Sequence, residues 1–328
     1  MNGCMETDKP QISILMAIYE PRMDWLREQL LSLDAQTYPN IKLYIRDDCS
    51  PTVSYEEIQS CVQDCIRTFP YEIRRNEKNL GSNGTFELLT QEADGEYFAY
   101  CDQDDIWLPE KLERMETVLA AEHTEFVCSD MYIIDGVGKI VADSITKIRR
   151  HHIFKSGTGL TDTLWYSNFA SGCALLVSAE MARRAIPFNP HMYYDHYITL
   201  YCANCGAISF INQPLIKHRE HGENQSSTLQ GVVDRASYLR IRVDKVVDAV
   251  HWLAENFPSD ATLEKRLQEG VIWMDARQRY LNGEKAQAKL VWKYRKYSPM
   301  ASIFEIAMPY MPGFLFQLAL WASRKNYI

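Results

Sequence analysis

Residues 11–48 read QISILMAIYEPRMDWLREQLLSLDAQTYPNIKLYIRDD. The apolar run ISILMAI is continuous rather than alternating, the pattern of a strand buried on both faces. It stops at Tyr19-Glu20-Pro21, and Met23, Leu26, Leu30 and Leu33 then recur at helical spacing within residues 22–36. Tyr38-Pro39-Asn40 breaks that pattern before IKLYIR, a second strand ending at Asp47-Asp48. The alternation continues with a helix-like segment over residues 55–68, a short strand YEIRR at 71–75, a loop NEKNLGSNG at 76–84, a helix to about Glu92 and a strand EYFAYC at 96–101. Regular alternation implies right-handed crossovers and a parallel sheet. In such sheets ligands collect beyond the carboxyl ends of the strands, which makes Tyr19, Asp48 and the acids after Cys101 neighbours on one rim.

Those acids are dense. Residues 97–109, YFAYCDQDDIWLP, place Asp102, Asp104 and Asp105 just past a strand. Carboxylates crowded this way repel one another unless a hard divalent cation shares the site. Helix capping ahead of Pro109 accounts for one of the three, not all. The rim as a whole suits a sugar nucleotide. Tyr19 can stack on a base, Asp48 can accept a base N–H or a ribose hydroxyl, and metal-bound carboxylates can hold a diphosphate. Taken singly, Tyr19 reads equally well as a rim aromatic and Asp48 as a turn residue before Ser50-Pro51.

Composition narrows the class. The chain has 328 residues, 46% hydrophobic and 24% charged, enough for a sizeable core. A net charge of −8 argues against a nucleic-acid surface, which needs clustered Lys and Arg. Nine cysteines, an odd number scattered partly inside apolar runs, predict reduced thiols in a cytoplasmic protein. Cys202-Ala-Asn-Cys205 is a lone CxxC without a second pair and reads as packing thiols. Cys173 has no evident basic partner and is not expected to act as a nucleophile.

Six segments carry a resemblance. SILMAIYE, LREQLLSLDAQTYPNIKLYIRDDCS, NLGSNGTFELL, GEYFAYCDQDDIWLPEKLERM, FASGCALLVS and YYDHYITLYCANCGAISFINQPLIKHREHGENQS occur in that order between about residues 11 and 226. Together they resemble the family-2 glycosyltransferases of the GT-A fold, and their rhamnosyltransferase-like branch in particular. The resemblance implies an α/β, Rossmann-like, mostly parallel sheet with helices on both faces, forming a catalytic domain over residues 1–228. It implies that Tyr19 flanks the donor base, that Asp48 hydrogen-bonds it, and that Asn79 and Gly81 belong to the loop beside the nucleotide. Asp102 and Asp104 match the family's Asp-X-Asp, with Asp102 beside the nucleotide and both acids on a Mn²⁺ or Mg²⁺ ion. Asp105 is expected at the helix start or on the sugar. Asp195 falls where inverting members place the catalytic base, although Tyr194 stands where many relatives have Glu or His. His221 is the expected third metal ligand with His218 its rival, and Arg219 and His218 are expected near the diphosphate or sugar. One carboxylate suffices for single displacement with inversion, and no second candidate follows Asp195. Without the resemblance, Asp195 reads as an ordinary helix-start acid and the two histidines as surface residues.

Beyond about residue 228 the composition changes. Residues 234–256 and 261–281 read as helices, giving residues 229–328 as a C-terminal helical extension. Its apolar tail, residues 299–322, is interrupted by Glu305, Pro309, Pro312 and Gly313. Lys293, Arg295 and Lys296 precede it and Arg324 and Lys325 follow, with Trp292 and Trp321 near its edges. That pattern predicts a segment lying in the membrane interface rather than a span, and so a peripheral protein on the inner face of the cell membrane. A core hairpin or an oligomer contact is the competing reading, and oligomerisation stays open. The expected function is a metal-dependent inverting glycosyltransferase moving a sugar from dTDP-rhamnose or a UDP-hexose to a cell-surface polysaccharide or lipid-linked glycan. Two other readings compete. A nucleotidyltransferase needs a Gly-rich basic loop that Tyr19-Glu20-Pro21 does not supply, and a noncatalytic GT-A scaffold at the membrane sits poorly with intact Asp102, Asp104 and Asp195.

Overall fold

The computed structural model describes residues 9–149, 152–221, 229 and 231–324. Residues 222–226, the end of the last resembling segment, lie outside it. In chain order the elements are β1 (Ile12–Ile18), α1 (Met23–Asp34), β2 (Ile41–Asp47), α2 (Tyr55–Cys65), β3 (Tyr71–Arg75), α3 (Gly81–Glu92), β4 (Tyr97–Cys101), β5 (Ile106–Trp107), α4 (Lys111–Glu122), β6 (Phe126–Ile134) and β7 (Ile140–Ala142). There follow α5 (Ile145–Ile148), α6 (Thr161–Leu164), a 3₁₀ turn (Gly172–Ala174), β8 (Leu175–Ser178), α7 (Ala179–Arg184), α8 (Tyr194–Cys205) and β9 (Ser209–Arg219). The remainder is helical, with α9 (Arg235–Tyr238), a π-helical stretch (Leu239–Asp244), α10 (Lys245–Asn256), α11 (Ala261–Leu281), α12 (Ala288–Lys293), α13 (Pro299–Ala307) and α14 (Gly313–Arg324).

The chain divides into two compact units. One takes in the residues up to Gly159 together with Phe169–Phe188 and Tyr194–His221; the other takes in Leu160–Asn168, Asn189–Tyr193 and the residues after His221. The first holds a sheet in the order β3-β2-β1-β4-β8-β6-β9-β5, with β7 also paired to the end of β6. Strands β3, β2, β1 and β4 run parallel, as the alternation predicts. The other half is mixed. Strand β8 is antiparallel to both β4 and β6, β9 is parallel to β6, and β5 is antiparallel to β9. The connection from β6 into β8 holds β7 and the short helices α5 and α6, with no long crossover helix among the described residues.

Register sets the rim. Ile18 pairs with Asp47 and Met16 with Cys101, so Tyr19, Asp48 and Asp102 all follow strand ends on one side of the sheet. Beneath it, Leu26, Leu30 and Leu33 of α1 are fully buried against Ile14, Met16 and Leu43.

Two local readings change. Helix α3 opens at Gly81, inside the stretch read as loop, because the Asp48 carboxylate accepts the Leu80 and Gly81 N–H groups at 2.7 and 2.8 Å and so supplies the N-terminal cap from another strand. Asp105 does not start a helix. Strand β5 intervenes, pairing Ile106 with Lys217 and Trp107 with Ile216, and α4 begins only at Lys111.

The second unit packs around Trp165, Trp273 and Tyr297, whose ring centroids lie 4.9 to 6.4 Å apart. Gly270 of α11 permits the approach, since a Cβ there would sit 2.8 Å from the Trp165 ring. Glu305 of α13, an interruption in the apolar tail, is fully buried. It accepts Arg277 Nε and Nη2 at 2.7 and 2.6 Å and the Tyr238 hydroxyl at 3.0 Å, as a buried charge requires. Among the described residues, no helix is long and apolar enough to cross a membrane.

Candidate active site

The rim beyond β1, β2 and β4 collects the residues that the sequence pattern singles out. Tyr19 follows β1 with its side chain 46% exposed, free to meet a planar ligand. Its backbone is clasped by Gln103, whose Oε1 accepts the Tyr19 N–H at 2.8 Å and whose Nε2 donates to the Tyr19 carbonyl at 3.0 Å. Sequence reasoning passed over Gln103 as the spacer between two acids. Glu20 (φ 46°) and Cys49 (φ 62°) hold left-handed backbone at the ends of β1 and β2, conformations that non-glycine residues adopt at some energetic cost.

Asp48 is buried. Besides Leu80 and Gly81, it accepts Asn76 Nδ2 at 2.8 Å. Asn79 closes the same loop, donating to the Asp48 carbonyl at 3.3 Å and accepting the Gly81 N–H at 3.0 Å. Among the described residues, Asp48 Oδ2 takes only the Gly81 N–H, which leaves it a lone pair for a ligand N–H.

The three acids after β4 separate in role. Burial raises the Asp102 carboxyl to about 8, and the charges of Asp105 and Asp104 add to the effect. Burial and Asp105 also raise Asp104, against the hydrogen bond from His221. Asp104 Oδ2 lies 2.8 Å from His221 Nε2. Two donors on adjacent positions of a six-coordinate ion with bonds of about 2.1 Å lie about 3 Å apart, so this pair has the spacing for Mg²⁺ or Mn²⁺. Asp102 and Asp104 carry like-charge crowding that His218 and His221 offset only in part, and such an ion would remove it.

Asp105 belongs to a different network. Its Oδ1 accepts the Arg219 N–H and His218 Nδ1, both at 3.0 Å, tying the end of β4 to the end of β9. Burial alone would lower the His218 pKa, but the Asp105 charge and hydrogen bond carry it to about 9. Asp105 is held below its ordinary value, burial being outweighed by His218. The two therefore form an ion pair at neutral pH. Cys173 Sγ lies 3.9 Å from His218 Nδ1, the basic neighbour that the sequence did not reveal. Burial pushes that thiol well above its ordinary value, so it stays protonated and unreactive. Asp105, Cys173 and His218 hold donor atoms within 4.8 Å of one another and form a second group that could hold a metal ion, joined here by the Asp105–His218 ion pair. Lys111 was not anticipated either. It is buried with Nζ on the Cys173 carbonyl at 2.5 Å and 3.2 Å from the Trp107 ring centroid, and burial lowers it to about 8.

Arg219 departs from expectation. Its guanidinium is buried and turned into the protein, with Nε on the Asp104 carbonyl at 2.8 Å, Nη1 on the Asp135 carbonyl at 3.2 Å and Nη2 on Glu28. It fixes the DQDD backbone rather than facing a diphosphate. Trp25 lies beneath His221 and Arg219, at 4.9 and 5.0 Å.

Asp195 stands in the first turn of α8. Gly172 N–H donates to its Oδ2 at 3.0 Å and His196 N–H to its Oδ1 at 2.6 Å. Burial raises it to about 6, the two backbone bonds working in the other direction. It is then mainly ionised at pH 7 and near enough to Asp102 for their charges to interact. Tyr194 is buried between Phe86 and Tyr100, at 4.2 and 5.2 Å. Its hydroxyl sits 2.0 Å from where a Cβ on Gly172 would lie, so only glycine fits opposite this tyrosine.

Comparison with known proteins gives the family and the fold. Residues 13–181, just over half of the chain, match Glycosyl transferase family 2. An uncharacterised glycosyltransferase of Nostoc is 27% identical over 65% of this chain and 66% of its own length. WfgD of Escherichia coli, a UDP-Glc:α-D-GlcNAc-diphosphoundecaprenol β-1,3-glucosyltransferase, is 26% identical over 61% of this chain and 73% of its own. The chain spans 66%, 47% and 36% of the length of three curated relatives. Among solved structures, the mannosyltransferase PcManGT of Pyrobaculum calidifontis with GDP-Man and Mn²⁺ superposes with a TM-score of 0.58 at 14% identity, covering 98% of this chain and 83% of that one.

Proposed function

This chain belongs to glycosyl transferase family 2 and has the GT-A fold, and on that premise we propose that it is a metal-dependent inverting enzyme acting on a nucleotide-diphosphate sugar. The observation that carries the reading is the meeting at one sheet rim of the Asp104–His221 pair, at ligand spacing, with Asp102 and an Asp195 ionised at pH 7.

Tyr19 flanks the donor base and Asp48 accepts its N–H, while the loop from Asn76 to Gly81 is held in place by the other contacts of Asp48. Asp102, Asp104 and His221 hold the ion. Mn²⁺ or Mg²⁺, when bound, offsets the negative charge that grows on the leaving diphosphate. Asp195 takes the proton of the acceptor hydroxyl as that oxygen bonds to the anomeric carbon. The bond from that carbon to the diphosphate oxygen breaks on the opposite face, and the configuration inverts. Raised to about 6, Asp195 is a stronger base than an ordinary aspartate yet still ionised at pH 7.

A UDP-hexose is the first donor to test, because WfgD is named for UDP-Glc, with dTDP-rhamnose as the alternative and GDP-mannose, the ligand of PcManGT, as a third. The acceptor is a hydroxyl of a cell-surface polysaccharide or lipid-linked glycan, reached from the inner face of the membrane, where the enzyme is peripheral. The test is a panel of nucleotide sugars with Mn²⁺ or Mg²⁺, following nucleoside diphosphate release with and without lipid-linked acceptors. We expect one donor to turn over and Asp104→Asn to lower its rate by about 10²-fold or more. No turnover of any donor, or an unchanged rate in Asp104→Asn, rules the mechanism out.

A further inference from the structure

Helices α13 and α14 each bury one face and leave large apolar side chains exposed on another. In α14 Phe316 and Leu320 are buried, while Phe314, Leu318 and Trp321, at helical spacing on another face, are exposed. In α13 Ser302 and Glu305 are buried, and Met300 and Ile303 are exposed. With Tyr310 from the connecting turn, these six large side chains are between 48% and 72% exposed. An open groove of about 580 Å³, lined by residues such as Trp292, Ile306, Pro312 and Leu315, adjoins them. So much contiguous apolar surface is unusual unless something covers it.

Charge identifies the occupant. From residue 285 to residue 324 the basic residues are Lys285, Lys289, Lys293, Arg295, Lys296 and Arg324, all exposed, and the single acid, Glu305, is buried on Arg277. Of the acids next to that segment, Glu269 is paired with Lys296 at 2.8 Å, Glu284 with Arg279 at 2.6 Å, and Asp234 caps α9. In a chain of net charge −8, the segment that forms this apolar face thus carries six exposed basic residues and one buried acid. A second copy of the chain would set six like charges against six. An anionic bilayer offers both the complementary charge and an apolar interior, and Trp292, Tyr310 and Trp321 are side chains suited to its boundary.

We propose that α13, the turn through Tyr310, and α14 form a docking face that inserts into the headgroup region of anionic lipid, with Phe314, Leu318 and Trp321 entering deepest and the six basic residues meeting the headgroups. The proposal rests on the peripheral membrane location given above and names the surface that provides it.

The test uses the full chain with vesicles of phosphatidylglycerol and phosphatidylcholine, compared with phosphatidylcholine alone, read by co-sedimentation and by the blue shift of tryptophan emission. The expected result is binding that needs phosphatidylglycerol, weakens with salt, and drops more than tenfold in the double variant Phe314→Asp/Leu318→Asp. Lys289→Glu/Lys293→Glu is expected to lower binding severalfold without touching the apolar face, and circular dichroism checks that both variants are folded. Absence of vesicle binding overturns the proposal, as does equal binding by the folded apolar variant. So does light scattering that shows a dimer which Phe314→Asp/Leu318→Asp dissolves, since the face is then a contact between copies. Donor hydrolysis by the same samples separates the two readings: vesicle binding without turnover of any donor counts against the catalytic assignment alone, and turnover without vesicle binding against the docking face alone.

Discussion

Replacing Gly172 by alanine tests whether Asp195 is set by its backbone neighbours. The new Cβ would lie 2.0 Å from the Tyr194 hydroxyl and 2.6 Å from its Cζ. Ordinary carbon contacts need about 3.5 Å, so something must move by roughly 1 to 1.5 Å. The tyrosine ring is packed between Phe86 and Tyr100, which leaves the Gly172 turn to give way. Its N–H bond to Asp195 is 3.0 Å long and does not survive such a shift. A hydrogen bond to a charged group contributes about 1.5–3 kcal/mol, equivalent to roughly one to two pKa units at about 1.4 kcal/mol each. Asp195, raised by burial to about 6, should then titrate between about 7 and 8 in the variant. In its proposed role as the base Asp195 works ionised, so activity should fall as pH drops through this value, and the acid limb should move upward by the same interval. At pH 7 the ionised fraction falls from about nine-tenths to between about a tenth and a half, a loss of roughly two- to tenfold in kcat/KM that alkaline pH restores. The assay is nucleoside diphosphate release from about pH 5 to about pH 9 at saturating metal, corrected for folded fraction. Adding Tyr194→Ala makes room for the Cβ and should return the limb toward its original position. An unmoved acid limb, or a loss equal at every pH, refutes the positioning argument.

Two further expectations concern stability. The Asp105–His218 pair, measured after chelation, should stabilise the fold fully below the ordinary histidine pKa of about 6.5, and its contribution should fade as pH rises through about 9, the folded value of His218. Asp105, held low, loses its share only in acid; His218→Ala should flatten the alkaline decline in melting temperature, and an unchanged profile counts against the ion pair. Glu305→Leu leaves Arg277 buried without a partner and should lower unfolding free energy by about 3–5 kcal/mol in denaturant titrations, whereas Arg277→Met/Glu305→Leu should recover most of the loss. A single variant as stable as the parent contradicts the burial of that charge.

What the chain disclosed in advance follows from how local each signal is. The strands β1, β2 and β4 announce themselves because each is a continuous apolar run, and the rim they define needs only the strand-end rule. Asp105 was read as a helix start because Pro109 supplies a strong local signal; the groups that claim it, His218 and the Arg219 N–H, come from strand β9 more than a hundred residues later. The start of α3 was missed for the same reason, since its cap is the side chain of Asp48 rather than a neighbour. Arg219 looked available to a phosphate because a guanidinium in a polar stretch is usually solvated, and only the approach of Glu28 on α1 and the Asp104 carbonyl shows it turned inward. The competition between His218 and His221 is one that spacing could not decide. Strand β9 carries the first onto Asp105, and the residues just after it bring the second to Asp104.

The clasp between Gln103 and the backbone of Tyr19 gives the Asp-X-Asp spacer a mechanical task. A base too large or wrongly oriented to lie against Tyr19 must displace its peptide, and the two amide bonds pass that displacement to the chain between Asp102 and Asp104. On the proposed site, poor nucleotide fit would then reach the carboxylates of Asp102 and Asp104, and donors of the wrong base would be penalised in the bond-breaking step as well as in binding. In Gln103→Ala, that coupling should be cut, and discrimination among bases should narrow in kcat while persisting in KM.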